Sequence, residues 1–110
     1  MPPPDTFELI AAYKGTGKAT ETQTGSITDV RYDIRRYYRM GWVGDDEPRV
    51  RMRQEIRGIV RKPNDKYWTH RVLGRNFTLQ FQTGEIMHLV VMDIAGNIGN
   101  TDNRGIYKPS

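Results

Sequence analysis

Residues 49–61 read R-V-R-M-R-Q-E-I-R-G-I-V-R, placing arginine at 49, 51, 53, 57 and 61 with Val50, Met52, Ile56 and Val60 between them. Successive side chains of a β-strand point to opposite sides, so this period of two predicts a strand with one apolar and one cationic face. The apolar side belongs on a core and the guanidiniums in water. The pattern recurs upstream, where Val30, Tyr32 and Ile34 alternate with Arg31, Asp33 and Arg35 in a strand expected from Ile27 to about Met40. Between the two lies Gly41–Pro48, G-W-V-G-D-D-E-P, a loop dense in strand breakers. Strands of about 13 residues reach ~40 Å at ~3.3 Å per residue. In a chain of 110 residues they must coil.

The rest of the chain supplies shorter strand signals. Phe7–Tyr13 reads as a first strand, with a short helix capped by Asp5 or Thr6 as the alternative. Lys14-Gly15-Thr16-Gly17-Lys18 lacks the G-x-x-x-x-G-K-[ST] spacing of a phosphate loop, so its glycines predict a strand bend. Gly58 predicts a bulge or bend in the arginine strand. After a turn at Lys62-Pro63-Asn64-Asp65, strands are expected over Tyr67–Leu73 and over Asn76–Gln82, where Phe77, Leu79 and Phe81 share a side. Thr83-Gly84 turns the chain into Glu85–Ile94, apolar at nearly every position and so expected to be central or buried on both faces. Ala95-Gly96-Asn97 is a further turn, and Ile98–Asn100 a short pairing segment.

Together these signals predict an all-β fold, a small antiparallel barrel or strongly coiled sheet of about six to eight strands in meander order. The expected organisation is a proline-rich leader at 1–5, one β domain at 6–100, and a tail at 101–110 partly docked through Ile106 and Tyr107. The absence of cysteine excludes disulfides, thiolate metal sites and cysteine nucleophiles. No apolar run approaches a membrane span, and the first residues lack the features of a signal peptide, so no membrane role and a cytoplasmic location are expected.

Charge is regional. Between Arg31 and Arg75, thirteen cations face six acids, a balance of +7, whereas the remainder carries four cations and seven acids, a balance of −3. Arginine outnumbers lysine twelve to five, which favours bidentate contact with phosphate or carboxylate and stacking on rings. If the two long strands form a hairpin, Arg31 and Arg35 fall on one face with Arg51, Arg53, Arg57 and Arg61. Tyr37, Tyr38, Trp42, Tyr67 and Trp68 cluster near the strand ends in sequence.

Catalytic templates find little support. The serines are Ser26, in a turn, and the terminal Ser110, and the histidines are His70 and His88, without H-x-H or H-E-x-x-H spacing. Asp45-Asp46-Glu47 lacks the D-x-D-x-D-G spacing of a calcium loop. The expectation is a non-enzymatic binding domain without metal or cofactor. Arg31, Arg35, Arg51, Arg53 and Arg57 would contact an acidic protein surface or anionic ligand. The same face binding single-stranded nucleic acid is one alternative. Another is an apolar ligand inside a calycin-like barrel, lined by Met40, Met52, Met87 and Met92 with Gln54 and His88 as polar contacts. The competing structural reading is a solvated face over an ordinary packed core.

Overall fold

The computed structural model describes residues 6–41 and 50–110, those at 50–52 by backbone alone. Strands β1 (Thr6–Glu21), β2 (Ile27–Gly41) and β3 (Val50–Arg61) are followed by a short helix, α1 (Trp68–Arg71). Then come β4 (Asn76–Gln80), β5 (Ile86–Val91), β6 (Ile98–Asn100) and β7 (Ile106–Tyr107). All pairings are antiparallel in one seven-stranded sheet of order β3-β2-β1-β4-β5-β6, with β7 beside β5.

The meander holds within β1–β3 and again within β4–β6. The connection from β3 to β4 departs from it, because β4 returns to lie beside β1, which is the arrangement of a Greek key. The sheet coils but does not close. A single bridge between Ile59 and Asn97, with the Val60 N–H donating to the Gly96 carbonyl at 2.9 Å, links its two edges.

Alternation sets the core. Val30, Ile34, Val60, Leu79, Met87, Leu89 and Val91 are the large side chains most completely enclosed, with Tyr32, Phe77, Phe81 and Trp68 around them. β5 is central, as its apolar run predicts, yet only Met87, Leu89 and Val91 are buried while Ile86, His88 and Val90 are partly exposed. The segment expected as a strand at 67–73 is instead α1. Trp68, Thr69 and Val72 are buried at helical and not strand spacing, and the Tyr67 N–H is held by the Asp65 carboxylate at 3.2 Å. The Trp68 ring packs on Phe77 at 5.6 Å, so this turn of helix covers one end of the core.

β1 is one continuous strand through Phe7–Tyr13 and both glycines, and β3 likewise runs through Gly58 in register with Ile34. The irregularities lie elsewhere, between Leu9 and Ala11 on β1 and between Tyr38 and Met40 where β2 meets β3. Gly58 is required by proximity. A Cβ there would meet the Asp33 carbonyl oxygen at 2.5 Å.

The edge-linking turn is itself braced by an acid. Asp93 accepts hydrogen bonds from the Asn97 side chain at 2.8 Å and from the Asn97 backbone at 3.1 Å. These bonds, the side-chain one foremost, hold its carboxyl below the ordinary 3.8. A carboxyl depressed on folding adds stability above its unfolded pKa and loses it as pH falls through the folded value. The urea midpoint should therefore drop as pH falls below about 4, and Asp93→Asn should flatten that part of the profile. The change is small because the carboxylate is exposed, and an unchanged acid limb in Asp93→Asn would exclude this contribution.

Candidate functional site

β2 and β3 form the expected hairpin, and its register decides which arginines meet. Tyr32 pairs with Val60 and Ile34 with Gly58 on the core side, so Arg31, Asp33, Arg35 and Tyr37 face outward opposite Arg61, Ile59, Arg57 and Glu55. β1 extends the same face with Thr16, Lys14, Ala12 and Leu9 in register with Arg31, Asp33, Arg35 and Tyr37. Two arginine pairs thus stand directly opposite each other, Arg31 with Arg61 and Arg35 with Arg57, and all four side chains are exposed. The rungs are four residues apart, or ~13 Å along the strands.

Like charges opposed across strands destabilise a sheet, where opposite charges would each contribute about 0.2–1 kcal/mol. Among the described residues one of the four arginines has a carboxylate partner: Arg57 reaches Glu55 Oε2 at 3.1 Å and lies over the Phe7 ring at 4.5 Å. Among the described residues no carboxylate lies within ion-pair distance of Arg31, Arg35 or Arg61. Arg61 donates through Nε to the Ala95 carbonyl at 3.4 Å. Counting Lys14, Arg31, Arg35, Arg57 and Arg61 against Asp33 and Glu55, the face carries +3.

Two clefts open on this face. One, of about 420 Å³, is lined by Lys14, Thr16, Arg31, Asp33, Ile59 and Arg61. The other, of about 200 Å³, is lined by Asp33, Arg35, Tyr37, Arg57, Ile59 and Asn97. Asp33 and Ile59 are shared, so each arginine rung borders one cleft and a half-buried isoleucine lies between them. Beyond the second rung, Tyr37 meets Phe7 edge to face at 6.2 Å, and the Phe7 ring is 41% exposed.

Of the arginines singled out from the sequence, the structure brings Arg31, Arg35 and Arg57 together. Arg53 falls at the irregularity beyond Glu55 and borders a different cleft, of about 530 Å³, with Gln54, Glu55, Asp102 and Arg104. The side chain of Arg51 lies outside the described residues, as do Trp42 and the Asp45-Asp46-Glu47 run. Arg61, expected on the same face, joins them, and register adds Lys14, Ile59 and Phe7.

The interior-ligand residues do not converge. Met87 is fully enclosed, Met92 is 57% exposed, Met40 is half-buried, and the side chain of Met52 is outside the described residues. Gln54 is exposed. His88 takes the outward phase of β5, between Thr78 Oγ1 at 3.0 Å from Nδ1 and the Tyr107 hydroxyl at 2.9 Å from Nε2. Asp102 stands 3.8 Å from Nε2, and the Arg104 guanidinium covers the Tyr107 ring at 4.4 Å. This polar group docks β7 on β5 and gives an inward ligand nothing to meet. Of the other rings, Trp68 is core, Tyr38 takes the core-side phase of β2, and Tyr67 is exposed beside Lys66 at the α1 turn.

No helix among the described residues is long and apolar enough to cross a membrane. Compared with known proteins, the chain matches no family model, no curated protein and no solved structure. What defines it is its own geometry, a partly open Greek-key sheet with paired guanidiniums on the outer face of its long strands.

Proposed function

We propose that this chain is a non-enzymatic binding module that receives an anionic partner, an acidic protein surface or an anionic ligand, on the outer face of β1–β3. The facing pairs Arg31/Arg61 and Arg35/Arg57 carry the proposal. Mutually repelling guanidiniums on a surface strand are a cost to the free protein, and an oxyanion placed between them converts repulsion into charge-assisted, fork-shaped hydrogen bonds. Arginine suits that task better than lysine because its donors are fixed in a plane. The interior reading has no matching support, since the described side chains invoked for it point to different places.

The test is a titration with fluorescein-labelled inorganic polyphosphate and, separately, labelled polyglutamate. For four guanidinium contacts, counterion release at the slope of a single-stranded polyanion predicts a roughly 50-fold weakening between ~50 and ~200 mM salt. Absence of binding to both at the lower salt, or binding that ignores salt, would overturn the reading.

A further inference from the structure

We infer that the anionic partner is a single-stranded nucleic acid lying along β2–β3, with phosphates at the arginine rungs and a base against Phe7 and Tyr37. The inference rests on the anion-binding reading above and adds the partner's class. An acidic protein surface would satisfy the guanidiniums, but nothing in it requires apolar contacts to alternate with charge along a line. Between the rungs the face is floored by Ile59, and past the second rung it presents an exposed ring with a guanidinium over it. Alternating cationic and apolar or aromatic contacts match a chain whose charged backbone alternates with flat bases.

The shape of the track agrees. From Arg31 to Tyr37 the outward residues of β2 mark a line of about 20 Å, one strand pair wide, and its rungs recur at ~13 Å. This is a narrow linear path, long enough for a few nucleotides of extended single strand. A duplex hides its base faces and would leave Phe7, Tyr37 and Ile59 without a role. The β4–β5 turn also reaches the end of the track, where Gln82 Nε2 donates to Thr16 Oγ1 at 3.4 Å beside the first rung.

The experiment compares a mixed-sequence single strand of about 15 nucleotides, its duplex, polyglutamate and polyphosphate, using the full chain and the variant Phe7→Ala. The single strand should bind tighter than the duplex or polyglutamate at equal salt. Phe7→Ala should weaken it roughly 5- to 150-fold, as loss of a stacking ring does, and should weaken polyphosphate several-fold less, because polyphosphate loses only the support the ring gives Arg57. Retained polyphosphate binding also reports an intact fold. Single-strand binding no tighter than polyphosphate and indifferent to Phe7→Ala would overturn the inference and leave the anion-binding module standing, as would preference for the duplex or polyglutamate. Failure of every probe to bind at ~50 mM salt would remove both.

Discussion

Gly17→Val is expected to lower the free energy of unfolding by about 3 kcal/mol or more, a large share of the ~5–15 kcal/mol that stabilises a typical domain. At this point β1 acquires its second neighbour: Gly17 pairs with Val30 of β2, and the next residue, Lys18, already pairs with Gln80 of β4. The inward side of Gly17 is filled by the Gln80 carbonyl, which a Cβ would overlap, and by the Tyr32 ring, 3.1 Å from that Cβ. A carbonyl committed to a strand cannot swing aside as the end of a side chain can, so the sheet must part where the two halves of the Greek key meet. The higher strand propensity of valine offsets at most about 1 kcal/mol of this. Thr16→Val, one residue away on the outward side, should stay within about 0.5 kcal/mol of the parent. Urea unfolding of both variants checks the contrast, and equal midpoints would mean that β1 and β4 are not in close contact at Gly17.

That contrast shows what a single sequence reveals here. Period-two alternation was sufficient for β2, β3 and β4, because most of their described inward side chains are apolar and most of their outward ones charged or polar, Arg36, Gln54 and Ile59 being exceptions. It also placed Arg31, Arg35 and Arg57 on one face, since parity persists along an unbroken strand. Parity fails at the irregularity where Tyr38 pairs with Gln54 but Met40 pairs with Arg51. One extra residue on β3 breaks the phase there, so the arginine row cannot be carried by counting through Arg53. Gly15 and Gly17 read as a bend because a lone sequence does not disclose a neighbouring backbone. His88 read as inward because its sequence neighbours on β5 are apolar, and its outward polar company comes from Thr78 of β4 and Tyr107 of β7, which only the pairing of strands reveals. Phe7, Lys14 and Ile59 joined the site through register with β2, a relation between segments that no local pattern encodes. The helix at Trp68 was signalled faintly by Trp68 and Val72 four residues apart, against a local composition that favours a strand.

A double variant, Arg31→Glu with Arg35→Glu, should be more stable than the parent and should bind anions more than about 100-fold more weakly. Both effects come from the same rungs. Each substitution turns an opposed pair of guanidiniums into an opposed pair of unlike charges, facing Arg61 in one rung and Arg57 in the other. Summed over two rungs, the gain is roughly 0.5–2 kcal/mol. The introduced acids join Asp29 and Asp33 along β2, yet Lys18 and Lys14 on β1 stand opposite those two, so the acidic row lies between basic ones. Arg57 keeps both Glu55 and the Phe7 ring, neither of which is touched. The charge of the face meanwhile falls from +3 to −1, taking two contacts from an incoming anion and adding two repulsions. Opposite movement of stability and affinity is the mark of residues kept for binding at a cost to the fold. A variant that lost stability and still bound polyphosphate would show instead that the arginine pairs belong to the structure of the sheet and that anions are held elsewhere.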